Sequence, residues 1–314
     1  MLHIKFNRRT IRGSLARQLL MLARIGSKDL EQTSHYGRLY TTRLSDDFRF
    51  PKGIRAEWHT HKTAKMELIY RADDKPRYLI IQFHGGAYQY GYSDSYRRSA
   101  IKYLSITCET KVLSLDYRLA PEHSHPSALE DAIMCYDYAL QMGYDPEKII
   151  VVGDSAGGGL ALALGLYLRD HHLPLPKAMI TMSAWTDLAA DGESYIRNKS
   201  RDPLLGERIE TLDVAGIIGE TDVYDPYISP AYGSYEGFCD LMMHVGDCEV
   251  LESDTLTVAR KAAQAGNRVD VTIYRGMFHV FQLAFSLIPD AQKAWKEIGR
   301  YIAGQFTECS VKER

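Results

Sequence analysis

Apolar residues along this chain fall into short runs that alternate with longer periodic stretches, as strands and helices do when they follow one another. Runs at 78–83, 112–115, 149–152, 178–183, 241–245 and 269–274 have the length of buried strands, and 55–59 with 66–70 reads as an antiparallel pair before them. The clearest helix begins at Ser127, where Leu129, Ile133, Tyr136 and Leu140 mark one face, Ser127 and Glu130 make a capping box, and Gly143 ends it. Another runs from a cap at Ser253 or Asp254 through Leu256, Ala259 and Ala263 to Gly266. Near the amino end Leu15, Leu19, Leu22 and Ile25 recur beside Arg12, Arg17 and Arg24, an amphipathic pattern whose apolar face packs on the sheet or on a cap. Repeated strand–helix units predict an α/β fold with a largely parallel sheet and ligand chemistry at the strand carboxyl ends.

Composition narrows the function. A chain of 314 residues with 45% hydrophobic content suits one large α/β domain, although length alone also permits two. The net charge of -2 gives no case for nucleic-acid binding, and no run of about eighteen apolar residues predicts a membrane span. Arg17 and Arg24 interrupt the basic amino-terminal stretch and no clear cleavage site follows, which argues against a secretory signal. Five cysteines without metal-ligand spacing suggest free buried thiols, a cytoplasmic location and no metal site.

Gly153-Asp154-Ser155-Ala156-Gly157-Gly158 lies between the run at 149–152 and the apolar stretch 160–164, so it reads as strand, sharp turn and buried helix. A turn this tight needs tiny flanking residues, here Gly153 and Gly157, and it presents Ser155 as a nucleophile beside the positive end of the next helix. Neither a dinucleotide loop nor a phosphate-binding loop fits: the first needs glycine where Ser155 stands, the second a Gly-Lys-Ser/Thr ending. The run at 78–83 breaks into His84-Gly85-Gly86-Ala87-Tyr88, where consecutive glycines let backbone N–H groups turn inward as an oxyanion hole requires.

These two blocks, with Asp116-Tyr117-Arg118-Leu119-Ala120-Pro121-Glu122-His123 between them, resemble the hormone-sensitive-lipase group of α/β-hydrolase carboxylesterases. Three further blocks continue the same order: Asp225-Pro226-Tyr227-Ile228-Ser229-Pro230, Val245-Gly246-Asp247-Cys248-Glu249-Val250-Leu251 and Gly276-Met277-Phe278-His279-Val280-Phe281. Together they run from about residue 78 to 285. One departure is Ala87, where the family usually has a third glycine. An alanine there predicts ordinary backbone geometry with its N–H still available. The resemblance implies an oxyanion hole from Gly85, Gly86, Ala87 and Ala156, with His84 orienting the loop.

Triad partners should follow the serine in the order acid, then histidine, at the ends of later strands. His279 stands after the run at 269–274, in the family's block, and would act as general base. For the acid, Asp247, Glu249, Glu252 and Asp254 lie close together; alignment on the block favours Glu249, with Asp247 second. Glu252 and Asp254 suit the first turn of the following helix.

Two segments, about 1–50 and about 188–225, lie outside the sheet, and by resemblance they form a small helical cap on a single domain spanning 1–314. Tyr88, Tyr90, Tyr92 and Tyr96 cluster just after the oxyanion loop as candidate pocket walls, and the resemblance implies the same for Trp185 and Phe278; aromatic walls suit an apolar acyl or alcohol group. The expected function is a serine carboxylesterase acting on small, short-chain esters through an acyl-enzyme, with no metal or cofactor. An amidase or peptidase on the same fold, or a non-catalytic small-molecule receptor, are the alternatives. A homodimer is compatible with the sequence.

Overall fold

The computed structural model describes residues 1–26 and 44–306. Strands β1 (Leu2–Asn7), β2 (Ile54–His61), β3 (Ala64–Arg71), β4 (Tyr78–Phe83), β5 (Thr110–Asp116), β6 (Ile149–Asp154), β7 (Ala178–Met182), β8 (Asp240–Gly246) and β9 (Val269–Tyr274) make one sheet in the order β1-β9-β8-β7-β6-β4-β5-β3-β2. β3 is antiparallel to β2 and β5, and the other pairings are parallel. Helices are α1 (Ile11–Gly26), α2 (Asp94–Ile106), α3 (Ser127–Gln141), α4 (Ala156–Asp170), α5 (Glu193–Arg197), α6 (Val214–Ile218), α7 (Glu252–Gln264) and α8 (Pro289–Gln305).

The central strands read as unbroken apolar runs because both of their faces are covered. Alternation along β4 sends Leu79, Ile81 and Phe83 to a core shared with Leu129 of α3, Leu160 and Leu164 of α4 and Val258 of α7. Tyr78 and Ile80 point the other way, toward Tyr103 and Leu104 of α2 and Trp295 and Ile298 of α8. Five adjacent parallel strands, β9, β8, β7, β6 and β4, therefore deliver their carboxyl-terminal loops along one edge.

The amino-terminal stretch departs from expectation. Residues 2–7 form an edge strand, pairing Leu2 with Val269 through Asn7 with Tyr274. In α1 the packed face carries Ala16 and Leu20, set against the cluster of Tyr274, Met277, Phe278 and Phe281. Leu15, Leu19 and Leu22, expected on the packing face, are 53%, 58% and 65% exposed. Residues 27–43 of the expected first cap segment lie outside the described residues. The second, 188–225, contains α5, a 3-10 turn at Gly206–Thr211 and α6.

Local capping also differs. Helix α3 begins at Ser127, but the residue at its cap is Pro126, and Glu130 is drawn away to Arg118 Nη2 at 2.8 Å, so no capping box forms. Leu251 stands at the cap of α7. Asp254 instead accepts the backbone N–H groups of Thr186 and Asp187 at 2.8 and 2.9 Å, tying α7 to the loop after β7. That role is worth more than a cap. Asp254→Ala should cost about 3 kcal/mol or more, because two buried donors lose their acceptor. Urea unfolding measures it; a loss below about 1 kcal/mol, the size of an ordinary cap, would contradict the assignment.

Cysteine usage holds a further correction. Cys135, Cys239 and Cys248 are free, as expected, but Cys108 is disulfide-bonded. Pairing depends on how closely the fold brings two Cα atoms together, which cysteine spacing alone does not reveal. Among the described residues no helix is long and apolar enough to cross a membrane, and no cluster of His, Cys, Asp and Glu could hold a metal ion.

Candidate active site

Strand β6 ends at Asp154, and α4 begins at Ala156, so a single residue makes the turn. That residue is Ser155, held at φ +53°, a left-handed conformation that costs energy in any residue but glycine. Its neighbours have no room for side chains. A Cβ on Gly153 would lie 2.1 Å from Gly157 O, and one on Gly157 would lie 2.3 Å from Phe83 O. The chain closes tightly enough to lift Ser155 above the sheet, at the amino end of α4.

His84 to Tyr88 follow β4, next to β6 in the sheet. Burial pushes the His84 imidazole down to about 4, against the raising effect of its hydrogen bond to Gly85 O; its ring stacks on Tyr117 at 4.0 Å. A neutral, stacked ring holds the loop. Gly85 does not turn its N–H into the site: that group donates to Tyr96 Oη at 2.8 Å, and Tyr96 Oη–H donates in turn to Asp154 Oδ2 at 3.2 Å. Gly85 is thus tethered through Tyr96 to the residue beside the serine, which removes it from the expected oxyanion donors. The N–H groups of Gly86, Ala87 and Ala156 have no hydrogen-bond acceptor among the described residues. Ala87 departs from expectation too. It sits at φ +51°, followed by Tyr88 at φ +57°, so the backbone here is left-handed and alanine bears the strain.

The loops after β8 and β9 supply the remaining groups. His279 Nε2 lies 3.0 Å from Ser155 Oγ, and His279 Nδ1 lies 3.2 Å from Glu249 Oε2. The other oxygen, Glu249 Oε1, accepts Ser183 Oγ–H at 2.9 Å and Gly246 N–H at 2.5 Å. Glu249 is fully buried, and His279 is 9% exposed. Burial lowers the His279 pKa, but the hydrogen bond and charge of Glu249, with Asp202 and Asp154 behind them, outweigh it and hold the imidazole above its ordinary value. Burial pushes the Glu249 carboxyl up, while His279 and the Gly246 N–H pull it back toward ionisation. Burial likewise raises Asp154 to about 7, opposed by the charge of His279 and the hydrogen bond from Tyr96.

The other nearby carboxylates are engaged elsewhere. Asp247 Oδ1 accepts Gly276 N–H at 2.6 Å, fixing the turn before the histidine. Glu252 pairs with Arg197 and accepts from Asn198, and Asp254 holds the loop after β7. Of the four acids in this stretch, the structure brings only Glu249 to His279.

Among the expected pocket walls, Tyr88 lines a shallow cleft with Ala120, Leu129, Leu160, Ile217 and Ile228, beside the polar Arg118, His123 and His125; neither Ser155 nor His279 is among its walls. Trp185 lies 6.4 Å from the Tyr88 ring, and Phe278 is packed with Met277 and Phe281 beneath α1; neither lines that cleft. Tyr92 and Tyr96 spend their hydroxyls on Glu67 and Asp154, so they brace the oxyanion loop rather than face a ligand.

Residues of 188–225 reach the acid loop. Ser194 Oγ–H donates to Val250 O, Asn198 Nδ2 donates to Glu249 O at 2.7 Å, and Asp202 Oδ2 accepts Val250 N–H at 3.0 Å. These contacts were not legible in sequence, because they join segments about fifty residues apart with no shared pattern. Ser183 was visible only as the end of an apolar run, the strand-end position at which functional side chains gather.

Residues 80–283 match the family described as alpha/beta hydrolase fold. The chain is 34% identical over 246 residues to an acetyl-hydrolase of Streptomyces hygroscopicus, covering 77% of this chain and 80% of that one. It is 35% identical over 227 residues to an esterase of Acinetobacter venetianus, covering 71% and 74%. The crystal structure of an esterase from the bacterial hormone-sensitive lipase family superposes with a TM-score of 0.79 at 28% identity, covering 95% of this chain and 99% of that one.

Proposed function

Because the chain belongs to the α/β-hydrolase fold family, within its hormone-sensitive-lipase-like group, and is a carboxylic ester hydrolase, we propose that Ser155, His279 and Glu249 carry the reaction. The observation that supports this reading is the continuous relay from Ser155 Oγ through both ring nitrogens of His279 to Glu249 Oε2. His279 Nε2 takes the proton from Ser155 as Oγ attacks the ester carbonyl, and Glu249 stabilises the resulting imidazolium. The N–H groups of Gly86, Ala87 and Ala156 would receive the oxyanion. Collapse returns the proton from Nε2 to the leaving alcohol and leaves an acyl group on Ser155. Water, deprotonated by His279, then attacks that acyl carbon; the acyl–Oγ bond breaks, the acid leaves, and Nε2 returns the proton to Ser155 Oγ.

Helix α1 and the segment 188–225 act as the cap on this reading. Support comes from α1, seated on the cluster that includes Phe278, and from Ser194, Asn198 and Asp202, which brace the loop of Glu249. Short cap segments favour short acyl chains. A panel of p-nitrophenyl esters tests this. kcat/KM should be highest for acetate or butyrate and fall for chains of ten or more carbons; faster turnover of the long chains would overturn the preference while leaving the esterase assignment intact.

A further inference from the structure

Ser183 hydrogen-bonds both the acid and the histidine loop. It follows β7, the strand that lies between β6, which carries the serine, and β8, which carries the acid. Its backbone is left-handed, φ +52°, and its N–H is fixed to His244 O at 2.7 Å. This turn aims a fully buried side chain into the gap between the two later loops. There its hydroxyl is used in both directions. Oγ–H donates to Glu249 Oε1 at 2.9 Å, and Oγ accepts the N–H of Val280, the residue after His279, at 3.1 Å. Val280 is itself left-handed at φ +46°. Two strained backbones from neighbouring loops are thus joined through one hydroxyl that has a single proton to give.

We propose that Ser183 is a positioning residue of the triad: it locks the carboxylate plane of Glu249 and the backbone carrying His279 in register, so that Oε2 faces Nδ1 while Nε2 faces Ser155. The inference rests on the triad reading above. Glu249 keeps one further fixed donor, Gly246 N–H, on the same oxygen. One donor sets where an oxygen lies, whereas the second stops the carboxylate from turning about it. Asp202 bears on the same pair from the cap side, and Asp154 from the side of the serine, so the charges around His279 are otherwise unchanged when the hydroxyl is removed.

Losing the hydroxyl has a signature distinct from loss of packing. A carboxylate freed to turn away from Nδ1 holds the imidazolium less firmly, so the leading cause that keeps His279 above its ordinary pKa weakens and burial pulls that pKa down. In Ser183→Ala the acid limb of kcat/KM should move downward in pH by about a few tenths of a unit, and kcat should fall about tenfold with KM little changed, the scale of one hydrogen bond to a charged group. Ser183→Gly separates the hydroxyl from the strain. Glycine accepts φ +52° freely and should melt no lower than the alanine variant, yet it should show the same kinetic defect.

The experiment is a kcat and KM pH series on p-nitrophenyl acetate for wild type, Ser183→Ala, Ser183→Gly and Ser155→Ala, with melting temperatures alongside. A shared loss of kcat and a shared downward shift of the acid limb in the alanine and glycine variants is the expected result. Recovery of wild-type kcat in Ser183→Gly, or an acid limb that stays in place or moves upward in both, would overturn the positioning role. Activity persisting in Ser155→Ala would instead sink the triad itself, so the two failures are distinguishable.

Discussion

Ser155→Ala should lower kcat on activated esters by on the order of 10⁴- to 10⁶-fold without loss of melting temperature. The reason lies in the turn. Ser155 contributes its Oγ to the relay, while the tight approach of Gly153 and Gly157 holds the backbone, and alanine can occupy the same strained φ at the cost serine already bears. The oxyanion donors and the cleft are untouched, so residual hydrolysis above the background in water is expected. Rates measured on protein freed of contaminating esterase check this; a variant retaining more than about one-hundredth of wild-type kcat would be inconsistent with a serine nucleophile.

The second large effect belongs to Glu249. Glu249→Gln keeps the shape but removes the charge, and its amide can donate to Nδ1 and favour the wrong tautomer, an effect of about 10⁴ on kcat in such a triad. It also removes the leading causes that hold His279 above its ordinary pKa, leaving burial to pull it down. The base must be neutral to act, so a raised pKa means that activity is lost early as pH falls. The wild-type acid limb of kcat/KM should therefore lie above the ordinary imidazole value of about 6.5, and the residual activity of Glu249→Gln should show its limb below it. Asp247→Asn retains an oxygen for Gly276 N–H and should cost less than about tenfold. A dead Asp247→Asn beside an active Glu249→Gln would move the acid by two residues.

The sheet was largely legible because parallel strands covered on both faces leave unbroken apolar runs, and 78–83, 149–152 and 269–274 all stand where the runs predict. The turn at Ser155 was legible for a related reason: only glycine survives at Gly153 and Gly157, and the spacing is rigid. What escaped depends on choices between partners. Glu130 had a capping site in reach but found Arg118, and Asp254 met the donors of Thr186 and Asp187 rather than its own helix. Residues 2–7 alternate as a strand would, yet nothing local announces that β9 offers them an edge. Ala87 misled because a side chain was taken to exclude positive φ, whereas a loop pinned by His84 and by the Gly85–Tyr96–Asp154 chain can impose it.

The central claim, an acyl group carried on Ser155, is tested most directly by identifying the covalent adduct. Wild-type protein treated with a fluorophosphonate ester, then digested and analysed by mass spectrometry, should carry one phosphonyl group on the peptide containing Gly153-Asp154-Ser155-Ala156-Gly157, with loss of activity in proportion to labelling. An adduct on any other residue, or full inactivation with Ser155 unmodified, would contradict it.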